Sequence, residues 1–282
     1  IPGQVDYEWV ADKVSAWAQK IRKSDFDEGR GDFIWEGGYY TPNDLFRVKV
    51  LGMFPKVSED TLIPYEWCEI AHRRWNELKD SGFITHKPIR LGVDVAGMGR
   101  DRSCFIPRQG NYVSEIKCHN SGGRADHMAV AGQVANYLKM DHRNKAFIDT
   151  IGEGAGVYSR LIEQNMLTAF SCKFSEGVRN KHDVTGCYTF ANMRAYLFWC
   201  IRDWLNPKNG FFAAIPPDEE LDQELCEPHW SFQSDGSILI EPKDEIKKRL
   251  KRSPDKMDAL ANTFYPYDYD KDNDALLLNS VV

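Results

Sequence analysis

The stretch IRLGVDV at residues 89–95 decides the fold of this chain. Apolar side chains alternate along it with Arg90, Gly92 and Asp94, which predicts a β-strand with one buried face. The alternation places Asp94 on the opposite face, in a segment that otherwise has little reason to contain an acid. An ionised carboxylate buried without a partner costs on the order of several kcal/mol, so we expect a metal ion or a basic residue close to Asp94. The apolar positions of this strand are Ile89, Leu91, Val93 and Val95.

The segments that follow this strand predict a mixed α/β domain. Short apolar runs at 103–106 and 112–116 fit two further strands, which with 89–95 would form an antiparallel meander. Strands and helices then alternate, as they do in α/β domains with parallel strands. The expected elements are a helix over 124–140, a strand over 146–149, a helix over 155–163, a strand over 168–174, a buried helix over 192–205 and a hairpin over 230–232 and 238–240.

A last helix begins near Ser253 and carries another acid. Ser253 is expected to cap this helix, and Pro254 suits its first turn. The helix places Asp258 beside its buried face. That apolar face consists of Met257, Leu260, Ala261 and Phe264.

Upstream of residue 89 the patterns predict two helices separated by a loop and a short strand. The first helix is expected to present Val10, Val14, Trp17 and Ile21 on one face. The stretch 25–41 is rich in Gly and Asp and predicts a polar loop, and the alternating Phe46, Val48 and Val50 predict a strand. The second helix is expected over 66–78, and the loop 80–88 is expected to precede the main domain.

Composition limits the classes of protein to which the chain can belong. Its 282 residues, 42% of them hydrophobic, are enough to bury a globular core. No apolar run approaches the roughly 18–20 residues of a membrane span and no signal segment opens the chain, so we expect a soluble cytosolic protein. The net charge of −6 disfavours a protein that coats nucleic acid by charge alone. Because the chain begins at Ile1, we expect a fragment of a longer protein.

Other sequence patterns disfavour a zinc site, a dinucleotide site and a serine-hydrolase site. The seven cysteines are odd in number and never form CxxC, so we expect reduced thiols and no zinc site, including at Cys172, His182 and Cys187. The run GEGAG at 152–156 has the spacing GxGxG rather than GxGxxG, which favours close packing of a helix on the sheet over a dinucleotide site. A hydrolase elbow of the form GxSxG does not occur.

Three carboxylates in different segments carry the candidate chemistry. They are Asp94 in the first strand, Asp149 at the end of a later strand and Asp258 on the last helix. A single aspartate at such a position is more often a hydrogen-bond acceptor or a cap, but the three together suit divalent metal ions. Two such ions about 4 Å apart can cleave a phosphodiester bond, and they need hard oxygen ligands. Asp101 is a candidate fourth ligand or closes a turn, and Glu153 is a weaker candidate that a solvent-facing position also explains.

Several segments resemble the large subunit of phage terminases, the DNA-packaging motors. Around the acids these are VDVA at 93–96 with Gly99 and Asp101, IDT at 148–150 with Gly152 and Gly154, and SPD at 253–255 with DAL at 258–260. Elsewhere they are YTFANMRA at 188–195 and FRVKVLGMFP at 46–55 with LIP at 62–64. The resemblance extends from about residue 40 to residue 265.

The resemblance implies a fold, an activity and a division of the chain. The fold would be RNase H-like, with a mixed central sheet flanked by helices, and Asp94, Asp149, Asp258 and, less firmly, Asp101 would bind two Mg²⁺ or Mn²⁺ ions. The activity would be cleavage of concatemeric duplex DNA in the host cytoplasm, with a portal protein and a terminase small subunit as further partners. Residues 1–85 would follow a motor ATPase domain, 86–265 would form the nuclease and 266–282 a mobile acidic tail. The chain has no GxxxxGK[ST] phosphate loop, so it is not expected to hydrolyse ATP.

A basic run precedes the last helix and is the candidate DNA-contacting surface. Charge runs are usually solvated helix faces, but this one adjoins the helix of Asp258. Its members are Lys243, Lys247, Lys248, Arg249, Lys251 and Arg252. Phe198, Trp199 and Trp204 lie in a segment too apolar to be exposed and are expected in the core rather than on a base-stacking surface.

Two other functions remain open. One is a different RNase H-like nuclease, such as a resolvase or a transposase, which the terminase-like segment at 46–55 disfavours. The other is a non-catalytic module that binds DNA or docks on a portal.

Overall fold

A computed structural model describes residues 6–42, 44–53, 60–97, 102–120, 126–178 and 180–266. The N-terminal part has three helices, α1 (Tyr7–Trp17), α2 (Asp44–Lys49) and α3 (Tyr65–Asp80). Between them lie β1 (Ala18–Ile21), β2 (Phe33–Trp35) and β3 (Gly38–Pro42), which form an antiparallel sheet in the order β1-β3-β2.

This part of the chain corrects three sequence predictions. The first helix ends at Trp17, so Ile21 belongs to β1. The stretch 25–41 is not only a polar loop, because it contains β2 and most of β3. The segment around Phe46 is helical rather than a strand: Phe46 and Val50 are also four residues apart, and the amide of Val50 donates to the Phe46 carbonyl at 2.9 Å.

The central sheet contains six strands. They are β4 (Arg90–Asp94), β5 (Arg102–Gln109), β6 (Tyr112–Val113), β7 (Lys117–Asn120), β8 (Lys145–Asp149) and β9 (Ala169–Cys172). The order is β6-β5-β4-β8-β9, and β7 also pairs with β5. The pairs β4–β8 and β8–β9 are parallel and β4–β5 is antiparallel, so the sheet is mixed. The predicted meander is confirmed for β4, β5 and β6, and β6 is shorter than the predicted run 112–116; β7 is a further strand that the sequence analysis did not predict.

Helices cover both faces of this sheet, which confirms the predicted mixed α/β class. On one face α4 (His127–Met140) and α5 (Gly154–Glu163) pack on a core that includes Leu91 and Val93. The other face carries a larger core built around α6 (Met193–Leu205) and α9 (Asp255–Asn262), with α7 (Glu219–Cys226) and α8 (Lys243–Leu250) beside them. The hairpin of β10 (Trp230–Phe232) and β11 (Ile238–Ile240) completes the chain's described elements.

The N-terminal part shares the larger core. Trp17, Phe46 and Leu62 are buried in the same cluster as residues of α6 and α9. The division of the chain at residue 85 stays a prediction. Residues 267–282, predicted as a mobile tail, and Asp101 lie outside the described residues. None of the helices in the described part of the chain is long and apolar enough to cross a membrane.

The cap of α9 comes from another helix. Pro254 occupies the cap position without a side-chain hydrogen bond, so the prediction that Ser253 caps this helix is wrong. The carboxylate of Glu224 on α7 accepts the backbone N–H of Met257 at 2.8 Å. A residue 33 positions away in sequence therefore satisfies an amide that a local side chain usually satisfies.

The prediction that all cysteines are reduced is also wrong. Cys104 on β5 and Cys118 on β7 form a disulfide, with their Cα atoms 4.2 Å apart. The two residues are directly opposite each other in the antiparallel pair, a register that their spacing of 14 residues does not disclose. Cys68, Cys172, Cys187 and Cys200 are not disulfide-bonded.

A glycine on β4 allows α9 to pack directly against the sheet. A side-chain carbon at Gly92 would lie 1.8 Å from the backbone oxygen of Ala259, a distance at which atoms overlap. Any larger residue at position 92 would push α9 outward, and Asp258 would move with it.

We predict that Gly92→Ala destabilises the protein by at least about 1–3 kcal/mol, since the added carbon overlaps backbone that cannot rotate away. Urea denaturation measures the change. Gly132→Ala is the matched control, because Gly132 is exposed on α4 with no atom within 4 Å of an added carbon. It should be neutral or stabilise by up to about 1 kcal/mol. Equal effects of the two substitutions would contradict the close packing at Gly92.

Candidate metal centre

Two of the predicted acids emerge at the same edge of the central sheet. Asp94 ends β4 and Asp149 ends β8, and these strands are parallel neighbours in which Val93 pairs with Ile148. Neighbouring strands lie about 4.8 Å apart, so the register brings the two aspartates side by side. Gly92, two residues before Asp94, faces α9, so Asp94 points toward the same helix.

The third acid reaches this edge from α9. Asp258 lies in the first turn of that helix and is only 1% exposed. Its Oδ2 accepts the ammonium of Lys243, the first residue of α8, at 2.6 Å. Its Oδ1 is buried and has no hydrogen-bond partner in the part of the chain that the structure describes. The three acids predicted from separate segments therefore belong to one region.

The charges of these groups act on one another. Burial raises the pKa of Asp94 well above its ordinary value, and the charges of Asp258 and Asp149 raise it further while Lys243 opposes them. Burial also raises the pKa of Asp149, with Asp258 adding to the shift and the N–H of Ile151 opposing it. Burial disfavours the charge on Lys243, yet the neighbouring carboxylates raise its pKa overall. Asp94 and Asp149 are half-buried and Asp258 is buried, so the region is a partly buried concentration of negative charge, with the ammonium of Lys243 beside Asp258.

The donor set suits a divalent cation, although the carboxylates are not gathered around one point. Within the described ranges, no three or more His, Cys, Asp or Glu side chains lie close enough together to hold a metal ion. Asp258 nevertheless fits a metal ligand, because one buried oxygen lacks a partner and the other binds a cation, Lys243. Hard carboxylate oxygens are the ligands that Mg²⁺ and Mn²⁺ prefer.

Asp255 is an acid of this region that the sequence did not single out. It is 4% exposed, and one of its oxygens accepts the backbone N–H of Arg102 at 3.2 Å. Its charge raises the pKa of both Asp94 and Lys243. The available signal was the spacing of Asp255 and Asp258, which places residues three apart on one side of a helix.

Glu153 lies beside the loop that follows β4. Its Oε2 is 2.9 Å from Nε2 of His127, and a side-chain carbon at Gly97 would lie 2.9 Å from its Oε1. Residues 98–101 lie outside the described residues, so the positions of Asp101 and Glu153 relative to the other acids stay a prediction. The glycine run at 152–156, which includes Glu153, approaches the end of β8 closely. A side-chain carbon at Gly154 would lie 1.9 Å from the carbonyl oxygen of Asp149, which supports close packing of the helix on the sheet rather than a dinucleotide site.

The six basic residues of the run have different surroundings. Lys243 faces Asp258, Arg249 binds Glu227 and Glu241, and Arg252 binds Glu224. Lys248 pairs with Glu245 at the surface, and the ammonium of exposed Lys251 donates to the backbone oxygen of Ser15. Lys247 is half-buried. Lys248 and Lys251 are therefore the exposed lysines of the run and Lys247 is half-exposed, and contact of these three residues with DNA stays a prediction.

The aromatic residues of α6 are in the core, as the sequence predicts. Phe198, Trp199 and Trp204 are between 0 and 4% exposed. They contribute to the packing of α6 rather than to a base-stacking surface.

Comparisons with solved structures identify the fold. The nuclease domain of the large terminase subunit gp2 of bacterial virus Sf6 matches 73% of this chain and 100% of its own length, with 20% identity and a TM-score of 0.58. The chain has an RNase H-like fold. Two K428A mutant forms of the Sf6 domain, one with manganese and beta-thujaplicinol and one with calcium, match over the same shares at 20% identity and a TM-score of 0.57. No protein-family model matches the chain. No curated protein sequence matches it either.

We predict that Lys243→Met destabilises the metal-free protein by about 1–3 kcal/mol, because it leaves the buried charge of Asp258 without its ammonium. Urea denaturation in the presence of a chelator measures the loss. Lys248→Met, on the same helix, removes only a surface ion pair and should change stability by no more than about 0.5 kcal/mol. If the two variants lose the same stability, the ion pair of Lys243 with Asp258 contributes nothing beyond a surface contact.

Proposed function

We propose that this chain is a divalent-metal-dependent endonuclease that hydrolyses the phosphodiester backbone of duplex DNA during viral genome packaging. The observation that carries the proposal is the placement of three acids. Asp94 and Asp149 end adjacent parallel strands, and Asp258 reaches them from α9. The fold supports it, because the Sf6 domain that shares it is described as a nuclease.

The proposed cofactors are two Mg²⁺ or Mn²⁺ ions. Asp94, Asp149 and Asp258 would hold them, with Asp101 as a further proposed ligand. The Sf6 domain carries manganese or calcium in structures of its K428A mutant. When bound, such ions activate water and stabilise the leaving oxygen of an in-line displacement. The protein's own contribution is a partly buried, negatively charged edge of the sheet that positions the carboxylates.

Lys243 has a defined part in this proposal. Its ammonium compensates Asp258 in the metal-free protein, at 2.6 Å from Oδ2. Its side chain is 37% exposed, so it has room to move toward solvent when a cation takes its place. The same lysine would then lie beside the bound DNA backbone, where a positive charge favours phosphate.

The proposed partner of this site is duplex DNA, which would contact only a limited part of the protein surface. A chain with a net charge of −6 repels DNA over most of its surface, so attraction must come from the cations and a few basic side chains. Lys247, Lys248 and Lys251 present charge next to α9. A portal protein and a terminase small subunit are further proposed partners.

One observation favours a second candidate, a non-catalytic module that docks on DNA or on a portal. The ion pair between Lys243 and Asp258, with the carboxylates not gathered around one point, is also what a site that binds no metal would show. Metal-dependent nicking of supercoiled plasmid separates the two candidates.

We predict that Asp94→Asn, Asp149→Asn and Asp258→Asn each reduce nicking of supercoiled plasmid to background, because asparagine retains the shape but lacks the charge that a divalent ion requires. Plasmid nicking with Mn²⁺ or Mg²⁺ measures the loss, and circular dichroism checks that each variant folds. Asp80→Asn, an exposed acid at the end of α3, is the control and should retain full activity. Full activity in any of the three variants removes that residue from the proposed site.

We also predict that changing Lys247, Lys248 and Lys251 together to Glu weakens DNA binding and flattens its salt dependence. Each lysine that no longer binds a phosphate lowers the slope of log affinity against log salt by about 0.9, since fewer counterions are released. Fluorescence anisotropy over a range of salt concentrations measures both quantities.

A control with the same change in net charge distinguishes a local contact from a general effect. Lys79, Lys87 and Lys139 are exposed on other parts of the chain. Changing these three to Glu should leave the salt slope close to that of the unmodified protein. Equal losses from the two triple variants would mean that DNA responds only to overall charge and that the basic run is not its contact surface.

A further inference from the structure

Arg194 is a buried cation with unused hydrogen-bonding capacity. It lies in the first turn of α6, its Nη1 donates to the backbone oxygen of Glu241 at 2.7 Å, and its guanidinium lies 4.4 Å from the centre of the Phe198 ring. Its Nε and Nη2 are buried and have no hydrogen-bond partner in the described part of the chain. Buried guanidinium donors without partners are costly, so these two nitrogens call for an acceptor.

The neighbouring helix carries a buried acceptor in the same condition. Asp258 is on α9, which packs against α6, and its Oδ1 is buried without a hydrogen-bond partner among the described residues. Burial lowers the pKa of Arg194, and the charge of Asp258 is the largest influence that opposes this shift. The unpartnered donors and the unpartnered oxygen therefore belong to two opposite charges that attract each other across the contact of the two helices.

The other acid near Arg194 already has its own partners. Glu241 influences the pKa of Arg194 less than Asp258 does. Its carboxylate binds Arg249 and accepts the backbone N–H of His229 at 2.8 Å. Asp258 is thus the acid whose charge Arg194 is placed to compensate.

We propose that Arg194 is a positioning residue that compensates the charge of Asp258 from inside the protein, while Lys243 compensates it from the outer side. In this arrangement Lys243 can leave Asp258 without uncovering an isolated buried charge. The second half of the proposal, that a divalent cation takes the place of Lys243, rests on the proposed function. The pairing of Arg194 with Asp258 does not depend on it.

A thermodynamic cycle in a chelator tests the pairing without metal, DNA or activity. The melting temperatures of the unmodified protein, R194M, D258N and the double variant are compared. Because the proposed role of Arg194 acts through the charge of Asp258, the loss caused by R194M should shrink by at least about half in the D258N background. R194K retains the charge and should lose less than R194M in the unmodified background.

Arg202 provides a matched control on the same helix. Its guanidinium also lies over an aromatic ring, that of Trp199, and donates to the backbone oxygen of Leu62, but the charges that oppose the lowering of its pKa are those of Asp203 and Tyr188 rather than Asp258. The loss caused by R202M should be the same with and without D258N. A constant loss for R194M in both backgrounds would show that Arg194 acts only through Phe198 and Glu241, and it would overturn the proposal.

The cycle distinguishes coupling between Arg194 and Asp258 from its absence even when a single variant does not fold. If R194M is unfolded alone and folded together with D258N, the coupling is present; if it is unfolded in both backgrounds, the proposal fails. Failure of the proposed nuclease function gives a different pattern. The plasmid would then remain uncut by the unmodified protein, whereas the coupling between Arg194 and Asp258 would be measured as expected.

Discussion

The close contact between β4 and α9 determines how Asp94 and Asp258 lie relative to each other. Gly92 lets the backbone of Ala259 approach a central strand without an intervening side chain. Asp94 follows two residues after that glycine, and Asp258 precedes Ala259 on the helix. A single backbone contact therefore sets the separation between a strand carboxylate and a helix carboxylate, and the parallel pairing of β4 with β8 adds Asp149 beside them.

Placing three acids at one buried edge has an electrostatic cost that the surrounding chain must offset. Lys243 is the side chain that meets this charge directly, and it comes from α8, an element that does not belong to the central sheet. The backbone N–H of Arg102 donates to Asp255, and the charge of Asp255 contributes to raising the pKa of the Arg102 guanidinium. Cations and backbone amides from several elements therefore contact these acids: Lys243 binds Asp258, and the N–H groups of Arg102 and Ile151 donate to Asp255 and Asp149.

The sequence predicted the parts of the fold that repeat over several residues. Alternation at 89–95 identified β4, and the helix and strand sequence that follows it led to the mixed sheet. Sequence patterns did not predict the features that depend on tertiary contacts. Phe46 and Val50 satisfy both a strand and a helix period, and in the helix that forms the Phe46 ring stacks on that of Phe33, with the ring centres 4.6 Å apart. The disulfide between Cys104 and Cys118 depends on strand register, which no spacing rule discloses.

The cap of α9 by Glu224 links the site to the order in which the chain can fold. A helix of eight residues gains little stability by itself, and this one lacks a local side-chain cap. Its first turn becomes stable only when α7 has docked, across a loop whose closure has an entropic cost. We therefore expect the acid-bearing helix to form late in folding, after the sheet on which it rests. Nascent or partly folded chains would then lack the third carboxylate, so the chemistry of the site would be confined to molecules that have completed their tertiary structure.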